Sequence, residues 1–191
     1  MGICSDLRNM LSGRIHARNI RQILDYVRAN NCLREFAEFI FDSDADVAYR
    51  ALWTCNHLTD AEINSLPETL AVELIDAATD CKNSGQRRLM LNLIYRRPVC
   101  LLRHVELLDF CLERSLLRDE PSGVRSVCLK LAYKLTLGIP ELQNELRQIL
   151  DIMDEPDLPP SLRCARKNIL RSMIGKSRTV YLHTDLWADG M

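Results

Sequence analysis

Several signatures are missing from this 191-residue chain, and each absence removes a class of protein. No run of apolar residues approaches the length that crosses a bilayer, so no membrane contact is expected. The seven glycines sit at segment junctions or chain ends, and no glycine-rich phosphate loop can be built from them. Aromatic residues make up only 6%, while Leu, Ala and Ile dominate, a bias that suits helices better than sheets. Strand-type alternation does not last beyond a few residues before the C-terminal stretch. No Cys-x-x-Cys pair occurs among the eight cysteines (4, 32, 55, 81, 100, 111, 128 and 164), which speaks against a zinc site or disulfide framework. Reduced thiols and a cytoplasmic location are therefore expected. The start, MGICSDLRNML, lacks the apolar core of a signal peptide. Its Gly2 and Cys4 suggest a lipidation signal, but Asp6 stands where Ser or Thr is required. The formal charge of −1 excludes no partner; what matters is where the charges lie.

What is present is a repeat. Val124, Val127, Cys128, Leu131, Ala132 and Leu135 fall at helical spacing, with Pro121, Ser122 and Gly123 marking a start and Ser122 the expected N-cap. An acid precedes this segment and an arginine follows its first apolar anchor. The same layout returns along the chain. The acids are Asp42, Asp80, Asp119 and Asp157, at steps of 38, 39 and 38. The anchors are Val47, Gln86, Val124 and Leu162, at steps of 39, 38 and 38. Arg87, Arg125 and Arg163 follow three anchors directly, and in the Val47 copy the arginine is displaced to Arg50. Periods of this length mark stacked supersecondary units.

All seven prolines lie between periodic segments, where they punctuate a row of helices. The pattern predicts five helix pairs: residues 4–11 with 13–29, 31–41 with 45–58, 67–80 with 85–97, 98–117 with 122–137, and 140–154 with 160–174. Short loops make consecutive helices antiparallel. Thr59 with Glu62, and Ser65 with Glu68, are expected capping boxes, and Ser-Gly at 12–13, 84–85 and 122–123 reads as a repeated helix start. The repeat domain is expected over 1–176. A tail over 177–191 should use Val180, Leu182, Leu186 and Trp187 to cover the last pair.

These residues resemble the HEAT-repeat family, whose second helix reads Val-Arg-x-x-Ala-Ala-x-x-Leu-x-x-Leu after an aspartate. VRSVCLKLAYKL (124–135) matches well and LRCARKNILRSM (162–173) in outline. DVAYRALWTCNHL (46–58) loses the arginine, QRRLMLNLIYRR (86–97) diverges most, and GRIHARNIRQIL (13–24) is a plausible further copy. The resemblance implies an all-α, right-handed α-solenoid of about five antiparallel helix pairs. Its second helices would line a concave side. It also implies a structural ladder in which Asp80, Asp119 and Asp157 pair with Arg87, Arg125 and Arg163.

Charge is sorted by helix. Residues 12–24, 47–58, 85–97, 122–137 and 160–176 hold sixteen of the 25 bases and none of the 26 acids. Arg18, Arg50, Arg88, Lys130, Lys134, Arg166, Lys167 and Arg171 are therefore expected to form a basic binding surface. The function that follows is a non-enzymatic scaffold holding an acidic protein or peptide segment, with nucleic acid as the alternative ligand. No cofactor, metal or catalytic set is predicted. Cys100 and His104, four apart with Cys111 beyond them, lack a full metal-ligand set. His16 and His57 add to the second helices. One enzyme family of similar architecture, the alkylpurine DNA glycosylases, sets aromatic residues beside an aspartate. Asp44 or Asp46 with Arg50 and Trp53, joined by Trp187, is the nearest analogue here.

Overall fold

The computed structural model describes residues 2–13, 16–102, 104–153 and 158–184; of these, 17, 101, 104 and 175–184 are described by backbone alone. They form eleven α-helices and two 3-10 turns, with no strand among the described residues. The chain divides into two compact units, 1–107 and 108–191. The first holds α1 (Ile3–Ser12), α2 (Ala17–Ala29), α3 (Leu33–Glu38) with the 3-10 turn Phe39–Phe41, α4 (Ala45–Cys55), the linking α5 (Asp60–Ser65), α6 (Thr69–Asp80) and α7 (Ser84–Arg96). A second 3-10 turn, Val99–Leu101, leads into α8 (His104–Leu116), inside which the division falls. The second unit continues with α9 (Ser122–Leu135), α10 (Pro140–Ile152) and α11 (Pro160–Thr184).

Each unit is built around one enclosed helix. In the first this is α4, packed against α1, α2, α7 and the Phe39–Phe41 turn. Val47, Ala51 and Cys55 are essentially inaccessible on one side, and Ala48, Leu52 and Thr54 are buried beside them. Second helices of successive pairs are neighbours here, α2 on α4 and α4 on α7, so each pair hides its apolar face on the next. In the second unit α9 takes the central place, against α10 and α11. Every residue from Val124 to Leu129 is buried, followed by Leu131, Ala132 and Leu135. A helix apolar nearly all round is one wrapped by its neighbours, and the fully buried Cys128 and Ala132 keep it slim.

Helix ends follow local chemistry. Asp44 caps α4, accepting from the N–H groups of Asp46 and Val47 at 2.9 and 3.4 Å. Asn83 does the same for α7 through Gly85 and Gln86. At the end of α2, Asn31 adopts φ 49°, the left-handed conformation asparagine tolerates best after glycine. Gly138, with φ 85°, occupies a position beyond α9 that a Cβ would strain.

Some expected boundaries move. The Thr59–Glu62 capping box forms, but the Ser65–Glu68 box does not, because the Ser65 hydroxyl donates to the Glu62 carbonyl at 2.7 Å. Ser122 is the first helical residue rather than the N-cap, which is Pro121; Ser12–Gly13 ends α1 rather than opening a helix. The pair helix expected over 31–41 is six residues of α-helix and a 3-10 turn. α2 starts at Ala17, so Asp25 lies on it, and Asp46 lies on α4; these two second helices do carry an acid. α11 continues past residue 176 to Thr184, while Leu186 and Trp187 lie outside the described residues.

Ion pairs 34 to 36 residues apart tie Arg8 of α1 to Asp42 beyond the Phe39–Phe41 turn, and tie Arg28 of α2 and Arg96 of α7 to Glu62 and Asp60 of the linking α5. Arg28 grips Glu62 through Nε and Nη2 at 2.7 and 3.1 Å, while the Thr59 N–H and hydroxyl donate to it at 2.7 and 2.9 Å. First the arginine, then threonine, hold the Glu62 carboxyl at about 2, below its ordinary 4.5. A depressed carboxyl contributes stability that is fully present above its unfolded value and lost as pH falls towards its folded one. Between pH 4.5 and about 2, wild type should therefore lose stability more steeply than Glu62→Gln. Urea unfolding across that range checks this; parallel curves would contradict it.

Candidate functional site

First helices end in carbonyl groups without helical partners, and these ends carry partial negative charge. Arginines from later helices close those of α1, α6, α8 and α10. Arg50 of α4 donates through Nη1 to the carbonyls of Leu11 and Ser12, at the end of α1, at 2.9 and 3.0 Å. Arg87 of α7 reaches the Ala78 and Cys81 carbonyls at the end of α6. Arg125 of α9 donates through Nε to Ser115 near the end of α8 at 2.9 Å, and Arg166 of α11 to Leu150 near the end of α10 at 2.5 Å. The linking turn is held likewise. Arg96 bonds the Asn56 and Leu58 carbonyls at 3.2 and 2.6 Å. Arg97, only 1% exposed, donates to Ile63, Leu66 and Pro67, and its burial lowers the guanidinium pKa.

Two rungs of the expected aspartate ladder, Asp80 with Arg87 and Asp119 with Arg125, do not form among the described residues. Asp80 and Asp119 are exposed and have no partner among the described residues, while Arg87 and Arg125 turn to backbone carbonyls. Asp157 lies outside the described residues, and Arg163 donates to Leu158 at 3.0 Å. The reason is electrostatic. An aspartate at a helix C-terminus meets like partial charge and faces water, whereas a guanidinium there satisfies orphan acceptors. Arg50 and Arg166 sit about one turn beyond the anchors Val47 and Leu162 and close the same kind of end. The sequence pattern placed both on the binding surface, and it gave Arg96 and Arg97 no role beyond the basic count of residues 85–97. Their position in the last turn of α7, before Pro98, was the available signal.

Arg18 and Arg21 on α2, Arg88 on α7, Lys130 on α9, and Lys167 and Arg171 on α11 are exposed and have no partner among the described residues. Exposed bases without such a partner also occur off the second helices, at Arg34 on α3, Lys82 before α7 and Arg147 on α10. Lys134 is half-buried and engaged. Lys130 is the single exposed residue between Val124 and Ala132, and α9 packs against α11, which carries Lys167 and Arg171. Unpartnered exposed acids on first helices include Glu38 on α3, Glu73 and Asp80 on α6, Asp109 and Glu113 on α8, and Glu141 and Glu145 on α10, while Asp119 lies between α8 and α9. α7, α9 and the whole of α11 contain no acid.

The glycosylase-like set does not converge. Asp44 is occupied in capping α4, Asp46 pairs with Arg50 at 3.1 Å, and Trp53 meets His57 edge-on, centroids 6.4 Å apart. Trp187 lies outside the described residues. His16 is the N-cap residue of α2, its N–H donating to Asn19 at 3.0 Å. Cys100 is exposed in a 3-10 turn and Cys111 is buried on α8. No three His, Cys, Asp or Glu side chains among the described residues are placed to hold a metal. All eight thiols are free; Cys32, Cys55, Cys111 and Cys128 are core residues. Burial pushes Cys55 up to about 12, which removes it as a nucleophile at neutral pH. No helix among the described residues is long and apolar enough to cross a membrane.

Stacked helix pairs of this kind define a helical-repeat protein. The sequence model of the family described as HEAT repeat domain matches residues 7–173, and the chain belongs to that family. No curated protein matches it.

The two classes of arginine make a direct comparison. Arg125→Ala should cost about 1–3 kcal/mol, the range for a buried hydrogen-bonded group left without its partner. Arg88→Ala should stay within about 0.5 kcal/mol. Urea unfolding of both variants measures this, and equal small losses would deny Arg125 its capping role.

Proposed function

We propose that this HEAT-repeat chain is a non-enzymatic scaffold whose second helices hold an acidic protein or peptide segment. The observation that carries the reading is the division between arginines committed to helix ends and exposed bases left without partners. In the first unit the available set is Arg18, Arg21 and Arg88; in the second it is Lys130, Lys167 and Arg171. Unpaired like charges on packed helices attract an anionic partner and repel a cationic one. α9 and α11 add no carboxylate of their own to compete. Phosphates of a nucleic acid would meet the same bases, which makes DNA or RNA the second reading.

The experiment is salt-titrated binding of two probes, a fluorescent poly-glutamate peptide and a single-stranded oligonucleotide. The account expects the acidic peptide to bind at low salt and Lys130→Glu/Lys167→Glu to weaken it at least tenfold, without loss of helicity. Arg21→Glu/Arg88→Glu tests the first unit separately. Tight oligonucleotide binding with a steep logarithmic salt slope would favour the nucleic-acid reading. Binding of neither probe, or variants that bind as wild type does, would remove the basic face as a ligand site.

A further inference from the structure

The first-helix side of the first unit carries a feature of opposite character. Three clefts there run into one another. One, of about 400 Å³, opens between the start of α3 and the α5–α6 turn and is bounded by Leu33, Arg34, Leu66 and Pro67. The next, of about 330 Å³, shares Arg34 and Pro67 and continues between α3 and α6 past Ala37, Leu70 and Phe41. The third, of about 360 Å³, shares Phe41 and runs on between α4, the end of α6 and the first half of α7, over Ala48, Ala77 and Met90. The groove has a local cause. α3 has six residues where α6 has twelve, and it gives way to the Phe39–Phe41 turn. The C-terminal half of α6 therefore faces a turn instead of a helix, and Phe41, 42% exposed, covers the gap only in part.

The charge around this apolar floor is one-sided. Glu38 on α3, with Glu73 and Asp80 on α6, borders the groove, and all three carboxylates are exposed with no partner among the described residues. Asp42, also on the border, is already matched by Arg8. Arg34 is the one base among the lining residues. An aromatic side chain standing half-exposed between unpaired carboxylates is an anchor point for apolar groups flanked by positive charge.

We propose that this groove docks a segment of a partner protein whose apolar side chains are flanked by lysine or arginine. The occupant seats its apolar residues against Phe41, Ala37 and Leu70 and its bases against Glu38, Glu73 and Asp80. The groove differs from the exposed second-helix bases in the sign of its charge, so it would take basic segments where those bases would take acidic ones.

The test is selection from a library of random 16-residue peptides displayed on phage, against the full chain. Enriched peptides should combine aliphatic or aromatic residues with lysine or arginine. As synthetic peptides they should lose at least tenfold in affinity on Phe41→Ser and at least fivefold on Glu73→Lys. Arg88→Glu should leave them unchanged, and affinity should fall several-fold between low and moderate salt. Phe41 and Glu73 are both exposed, and circular dichroism verifies that the variants fold, with Glu73→Lys as the readout should Phe41→Ser loosen the turn. The proposal is overturned if no peptides are enriched, or if the enriched ones are acidic and depend on Arg88. It is equally overturned if the wild-type chain self-associates in sedimentation and Phe41→Ser abolishes this, which would make the occupant a second copy.

Discussion

The arrangement depends on one interaction, the guanidinium of a later helix donating to the carbonyls that end an earlier one. Each first helix finishes with acceptors that its own backbone cannot satisfy. Arg50, Arg87, Arg125 and Arg166 answer those acceptors from α4, α7, α9 and α11. The bond works with the helix macrodipole, since positive charge is favoured at the C-terminus. It also fixes how far along the second helix the first one ends, which apolar packing alone leaves loosely specified. Arg96 and Arg97 extend the device to the linking α5, where a turn between pairs would otherwise bury its carbonyls unanswered.

The same interaction sorts the charges into those that hold the fold and those that remain for other use. Committed arginines are half-buried or buried and face backbone oxygens. Arg18, Arg21, Arg88, Lys130, Lys167 and Arg171 face solvent. Among the first helices α6 carries three acids and no base. Stability and available charge thus come from different members of one residue class, separated by as little as the step from Arg87 to Arg88.

The fold was legible because it is written as a period. The recurring anchors located the pairs from the second onward, and α9, the best match to the repeat, is the most enclosed helix of its unit. Boundaries were less legible where two local signals competed. Ser65 could cap a helix or bond back to Glu62, and the nearer carbonyl won. The partners of the arginines were not legible, because a carbonyl leaves no trace in side-chain chemistry and an aspartate at repeat spacing was the visible candidate. The groove was hidden for a related reason. It arises from the shortness of α3, and six helical residues followed by a 3-10 turn read in sequence as one continuous apolar pattern ending at Phe41.

The most direct measurement is proton exchange at arginine Nε–H groups, followed by nitrogen-15 NMR at neutral pH. Arg87, Arg125 and Arg166 donate through Nε to carbonyls and should exchange slowly, with a scalar coupling across the bond from Arg125 Nε to the Ser115 carbonyl carbon. Arg18, Arg21, Arg88 and Arg171 should exchange as free arginine does. Uniformly fast exchange in all seven would contradict the claim that guanidinium groups close the helix ends.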